Sequence, residues 1–141
     1  MLDILSDVIL QQAGNQPAVK LDSEYTECVV HADKQRLTAI IGHLVKNAQD
    51  ATADDGSVKI HLRCEQKFAY IQIIDTGCGV TGKFIAERLF KPFDTTKGNA
   101  GMGIGVYEAR EYIISQRGEI SVQSEVGVGT VFSIKYPLLT A

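Results

Sequence analysis

The stretch FAYIQIID ends on a carboxylate, Asp75, and runs at once into Thr76-Gly77-Cys78-Gly79. Alternation puts Asp75 on the face of Ile71 and Ile73, the side of a strand that turns toward a core. A carboxylate placed there needs hydrogen-bond donors, or its pKa shifts. Two arrangements meet that need. Asp75 can cap its own loop in an Asx-type turn, or it can accept from a ligand amine such as an adenine amino group. Gly77 and Gly79 mark positions where backbone passes close to something.

Three further groups could join such a site. Asn47 lies at the edge of an apolar helical stripe, on one flank with His43 and Asp50. Its amide oxygen can complete a Mg²⁺ shell made otherwise of phosphates and water, or it can simply face solvent. In FDTTKGNAGMGIGVYEA, Gly101, Gly103 and Gly105 precede or open a helix, with Lys97 just upstream. A helix start with free N–H groups suits phosphate, and Lys97 can act as a point charge. A flexible linker would explain Gly98 and Gly101 but not an alternating series entering a helix. The context fits neither a dinucleotide-binding turn nor a Walker A loop. Thr130 shares an apolar strand face with Phe132 and Ile134. Its hydroxyl either bonds its own turn or sits beside Asp75 from an adjacent strand. His31, His43 and His61 lack zinc spacing.

These residues need elements to hold them. MLDILSDVILQQAG has Leu2, Leu5, Val8 and Ile9 close to helical spacing, broken by Gly14, Asn15 and Pro17. PAVKL and ECVVH read as short extended pieces. The clearest helix starts at Asp33, a good N-cap, and carries Leu37, Ile40, Ile41, Leu44, Val45 and Ala48 on one stripe before ending near Thr52–Gly56. SVKIHLR and FAYIQIID alternate and form an antiparallel hairpin. After a long connection, a helix runs from about Gly103 to Gln116, stopped by Gly118 at C′. EISVQSE and TVFSIKYP make a second hairpin around VGVG. Helices and antiparallel strands in this order define an α+β two-layer sandwich.

The 141 residues fit one domain, with 45% hydrophobic and 22% charged residues. A net charge of −3 offers no basic stripe, so nucleic acid is not the expected partner. No window is apolar enough to span a membrane, and Met1–Gln12 lacks the features of a secretion signal. Cys28, Cys64 and Cys78 show no paired spacing, so the expectation is a reducing compartment and no disulfide framework.

Taken in order, Asn47 in LVKNAQDA, Asp75-Thr76-Gly77-Cys78-Gly79, LFKPFDTTK, GMGIG and SEVGVGTVFSI resemble the signature boxes of the histidine-kinase catalytic domain. That family shares its Bergerat ATP-binding fold with gyrase, Hsp90-type chaperones and mismatch-repair ATPases. The resemblance covers roughly Asp33 to Pro137. KPFDTTKGNAGMGIGVYEAREYI looks most like kinases of the PEP-CTERM/exopolysaccharide type. The resemblance implies a mixed, mostly antiparallel sheet of about five strands with three main helices on one face, binding ATP and Mg²⁺. Asp75 would accept from the adenine amino group, with Gly77 and Gly79 letting the loop approach the base. Asn47 would hold Mg²⁺. Phe90, Pro92 and Phe93 would anchor a lid from about Asp94 to Gly101. Thr96, Lys97, Gly101, Met102, Gly103 and Gly105 would line the phosphates. Thr130 would bond near the adenine, and Ala51, Val80 and Phe132 would wall the pocket.

Two positions depart from the family pattern. His43 stands where an asparagine is usual, and Asp50 where a basic residue is often found. The first bears on part of the metal or phosphate shell. The second makes Lys46 or Lys97 the phosphate cation. None of the histidines has the context of a phosphoacceptor. The resemblance therefore implies no self-contained catalytic residue: Asn47 and Lys97 support phosphoryl transfer to a histidine on a separate dimerisation domain. Residues 1–15 would be the end of a connection to that domain and 16–141 the catalytic domain. A downstream response regulator, a cytoplasmic location and a monomeric isolated domain are also expected. A self-contained ATPase and an anti-sigma-type serine kinase each call for glutamate at position 43. A nucleotide-sensing module is the remaining alternative.

Overall fold

The computed structural model describes residues 1–15, 17–23, 30, 33–65, 67–79 and 100–138, with backbone alone for residues 2 and 100–105. Val80, Phe90, Pro92, Phe93, Thr96, Lys97, His31 and most of ECVVH lie outside the described residues, as does the expected lid up to residue 99.

Helix α1 spans Leu2–Gln11, strand β1 Val19–Ser23 and helix α2 Lys34–Ala51. The Asp33 carboxylate accepts from the Arg36 amide at 3.2 Å, as an N-cap should. Every member of the expected stripe, Leu37 to Ala48, is buried. Each of its Leu, Ile and Val side chains contributes roughly 1.5–3 kcal/mol through burial. Gln49 continues the stripe: its Nε2 donates to the Pro17 carbonyl at 2.9 Å and fixes the segment after α1 against α2.

Strands β2 (Val58–Glu65) and β3 (Phe68–Asp75) form the expected antiparallel hairpin. Helix α3 (Ala100–Ser115) leads into β4 (Glu119–Glu125) and β5 (Gly129–Pro137), the second hairpin. The sheet order is β1-β2-β3-β5-β4, parallel between β1 and β2 and antiparallel elsewhere. Residues of the three helices and of one sheet face share a single apolar core. The other face carries half-exposed residues such as His61, Tyr70, Gln72 and Ser133. The α+β two-layer reading holds.

Three details differ from the expectation. Helix α3 begins at Ala100 rather than near Gly103, so Gly101, Gly103 and Gly105 lie inside its first turns. Low glycine propensity argues for a later start, but packing of Val106, Ala109, Tyr112 and Ile113 into the core carries the helix further. At its end, Gly118 N–H donates to the Ile113 carbonyl at 2.8 Å and Arg117 N–H to that of Ile114 at 2.9 Å. The left-handed C′ residue of this Schellman motif is Arg117, at φ 67, not Gly118. Gly118 is reserved for close approach, since a Cβ there would strike the Lys135 carbonyl. Third, Cys64 on β2 is disulfide-bonded, against the expectation of unpaired thiols, with its partner outside the described residues.

Candidate functional site

Strand register stacks the core-facing side chains into rows. Leu21, Ile60, Ile73, Phe132 and Val122 form an apolar row across all five strands. The next row is Val19, Val58, Asp75, Thr130 and Ser124. The apolar floor thus gives way to three polar side chains on adjacent strands, and there the candidate site begins.

Asp75 is 6% exposed. Its Oδ1 accepts from the Gly77 amide at 2.8 Å, so the Asx-type turn is formed. One such bond uses only part of a carboxylate's accepting capacity, and the ligand reading stands beside it. Burial pushes the Asp75 carboxyl above its ordinary 3.8, and the backbone amides of Gly77 and Thr130 draw it part of the way back.

The loop after Asp75 is clasped from two sides. A Cβ at Gly77 would lie 2.5 Å from the Ala51 carbonyl oxygen, and the Cys78 amide donates to that same oxygen at 3.1 Å. Gly79 takes φ +73 and packs on the Glu125 carbonyl, while Gly127 N–H donates to the Cys78 carbonyl at 2.8 Å. Glycine is required at both positions, at Gly77 for close approach and at Gly79 also for its left-handed backbone. Thr76 Oγ1 accepts from the Ser57 amide at 2.9 Å and pins the loop to the start of β2.

Asn47 lies one turn before Ala51 on α2 and is half-buried. Its Nδ2 is buried with no hydrogen-bond partner among the described residues. Such an orphan costs about 1–3 kcal/mol and fits a side chain built to meet an acceptor or metal-bound water from a ligand. Among the described residues no group of three His, Cys, Asp or Glu could hold a metal ion. One carboxamide beside phosphate oxygens fits a Mg²⁺ shell that keeps several waters. Lys46 is paired with Asp50 at 3.2 Å, both exposed, so the acidic residue at 50 engages one of the two candidate phosphate cations. His43 is exposed and borders a cavity of about 170 Å³ with Arg36, Ala39, Ile40 and Glu108, between α2 and α3.

Thr130 is 9% exposed and contacts Ser124 Oγ at 2.8 Å through its hydroxyl. Ser124 also donates to the Gly129 carbonyl at 3.0 Å. Ser124 and Gln49 were missed from sequence. Both carry a readable signal, a polar side chain in register with an apolar stripe: Ser124 with Ile120 and Val122, and Gln49 with Val45. The structure therefore brings Asp75, Gly77, Gly79, Thr130 and Ala51 together around one loop, with Asn47 a turn away. Phe132 lies in the next row inward, 8% exposed. Gly101, Met102, Gly103 and Gly105 fall in the first turns of α3, and only the first four amide groups of a helix lack intrahelical acceptors.

With that geometry in place, the sequence and fold comparisons converge. Residues 32–140 match the family described as histidine kinase-, DNA gyrase B-, and HSP90-like ATPase, and the chain belongs to that family. It is 34% identical over 117 residues to the sensor histidine kinase RcsC of Salmonella typhimurium, covering 79% of this chain and 12% of RcsC. The chain thus spans a small part of that relative. The fold matches the catalytic domain of histidine kinase ThkA at TM-score 0.84 and 23% identity, over 97% of this chain and 91% of that one. A structure of ThkA in complex with response regulator protein TrrA matches at TM-score 0.79 and 21% identity, over 99% of this chain and 40% of that one. Full-length ShkA in complex with AMPPNP matches at TM-score 0.80 and 25% identity, over 99% and 30% of the respective chains.

Proposed function

We propose that this chain binds ATP with Mg²⁺ and serves as the catalytic domain of a sensor histidine kinase, passing the γ-phosphoryl group to a histidine on a separate dimerisation domain. The observation that carries the reading is Asp75: a nearly buried carboxylate on the third of five strands, beside Thr130, with a glycine-clasped loop leaving it. It supplies acceptors where an adenine amino group supplies donors. The match to ShkA, a protein described in complex with AMPPNP, supports nucleotide binding by this fold.

The roles follow from position. Asp75 accepts from the base and Thr130 lies next to it. Asn47 offers its carboxamide oxygen to Mg²⁺. The metal would screen phosphate charge as the γ-phosphoryl leaves. First-turn amides of α3, freed of side-chain bulk by Gly101, Gly103 and Gly105, take phosphate oxygens. By the family resemblance we also assign Met102, Thr96, Lys97 and Val80 to the nucleotide pocket, and His43 lies one turn from Asn47 toward α3. The domain contributes positioning and charge, and the nucleophile comes from its partner.

Met1, the N-cap of α1, and Ile4, Leu5 and Val8 within the helix are buried in the shared core. We assign residues 1–15 as the end of the connection to the dimerisation domain and 16–141 as the catalytic domain, monomeric when isolated. The downstream partner is a response regulator, as ThkA is described with TrrA. Among the described residues no helix is long and apolar enough to cross a membrane. We assign the domain to the cytoplasm from its family.

The test mixes the domain with γ-labelled ATP, Mg²⁺ and a candidate dimerisation domain and follows acid-labile phosphohistidine. Transfer that needs both domains is expected. Robust ATP turnover by the domain alone, lost in His43→Ala, would instead make it a self-contained hydrolase.

A further inference from the structure

We infer that Ser124 is a specificity-determining positioning residue: it fixes the direction of the Thr130 hydroxyl so that the site presents only hydrogen-bond acceptors to position 6 of a purine. The inference rests on the reading of Asp75 and Thr130 as the adenine subsite. A serine hydroxyl has one proton. The Gly129 carbonyl can only accept, so its 3.0 Å bond takes the Ser124 proton. The 2.8 Å contact between Ser124 Oγ and Thr130 Oγ1 must then be donated by Thr130. The proton order runs from Thr130 to Ser124 to Gly129, and it leaves Thr130 with lone pairs alone to offer elsewhere.

Asp75, directly opposite Thr130 in the register, is acceptor-only when ionised. Two neighbouring acceptors suit a 6-amino group, which has two protons to give. A 6-oxo group brings lone pairs against lone pairs and leaves a buried polar group unpaired, the arrangement that gives the sharpest discrimination. Without Ser124 the Thr130 proton has no fixed acceptor and can turn toward a 6-oxo oxygen. Serine at 124 thus decides whether threonine at 130 is a donor or an acceptor, without touching the nucleotide.

The test is titration of the domain with ATP and with ITP, whose base carries the 6-oxo group, by calorimetry. Ser124→Ala is expected to lower the ATP-over-ITP preference about tenfold, the scale of one redirected hydrogen bond. Ser124→Thr, which keeps the hydroxyl, restores it, and in a Thr130→Val background Ser124→Ala leaves the ratio where Thr130→Val put it. Parallel weakening of both nucleotides at constant ratio would overturn the inference. Should Ser124→Ala not fold, Ser124→Cys, with a poor acceptor in place of the hydroxyl, gives the same readout. Asp75→Asn separates the two levels. If it leaves the ratio unmoved, the adenine subsite itself is wrong. If it shifts the ratio while Ser124→Ala does not, the role of Ser124 alone fails.

Discussion

Asp75→Asn separates what this carboxylate does for a ligand from what it does for the fold. Asp75 is 6% exposed, and burial raises its pKa above 3.8. A raised folded-state pKa means that the folded chain holds the proton longer than the unfolded chain does. The group's contribution to stability is then full below pH 3.8 and is lost as the pH rises through the raised value. Asparagine has nearly the same shape, keeps a carbonyl oxygen for the Gly77 amide 2.8 Å away, and carries no charge. At pH 7 the variant is expected to be as stable as the parent or more so, with the pH dependence in that window removed. Binding should move the other way. A hydrogen bond to a charged acceptor contributes about 1.5–3 kcal/mol, and an NH₂ group turned toward the base would face another donor. ATP affinity should fall by roughly 10- to 150-fold or more. Calorimetry with ATP and urea unfolding at pH 7 and below pH 4 measure both halves. Near-parental affinity would refute the adenine assignment. An equal loss of stability and affinity would reduce Asp75 to a loop support.

Asn47→Ala should leave the fold as stable as the parent or more so, because its buried Nδ2 has no partner to lose among the described residues and its removal relieves the cost of an unpaired donor; urea unfolding checks the sign. The substitution should abolish Mg²⁺-dependent phosphotransfer while metal-free ATP binding persists, as titrations with and without Mg²⁺ would show. Gly79→Ala puts a Cβ against the Glu125 carbonyl at φ +73 and should destabilise by more than about 1 kcal/mol in urea unfolding. Arg117→Gly relieves a left-handed arginine at φ 67 and should stabilise by roughly 0.5–1 kcal/mol, read as a higher melting temperature with unchanged ATP affinity. Acidification should weaken ATP binding at a pH above 3.8, because Asp75 takes up its proton early, and Asp75→Asn should flatten that response.

Periodicity carried most of the fold. The α2 stripe and the alternation of β2, β3 and β5 each follow from burial on one side, which a sequence records directly. Asp75 stood out because it broke that record, a charge in register with Ile71 and Ile73. Ser124 broke the register of β4 in the same way, but a hydroxyl among half-exposed residues is a fainter break than a carboxylate among buried ones. The start of α3 and its left-handed C′ residue were misplaced for another reason. Both depend on what lies across the chain: a core that extends a glycine-rich helix, and a Lys135 carbonyl that claims Gly118 for packing. Local propensity has no access to either.

The clasp around Cys78 explains why the two halves of the candidate site can share one geometry. Ala51 ends α2 one turn after Asn47, and its carbonyl takes the Cys78 amide at 3.1 Å. The Cys78 carbonyl in turn takes the Gly127 amide at 2.8 Å, from the β4–β5 turn next to Thr130. Residue 78 therefore joins the helix that bears Asn47 to the hairpin that bears Thr130, and it does so through backbone alone. Its thiol is free and exposed. The side chain at 78 is thereby released from any structural demand, whereas Gly77 and Gly79 are held by carbonyls that leave no room for a Cβ. The spacing between Asp75 and Asn47, the proposed base and metal positions, is set by two peptide groups, a stiffer link than any pair of side chains could provide.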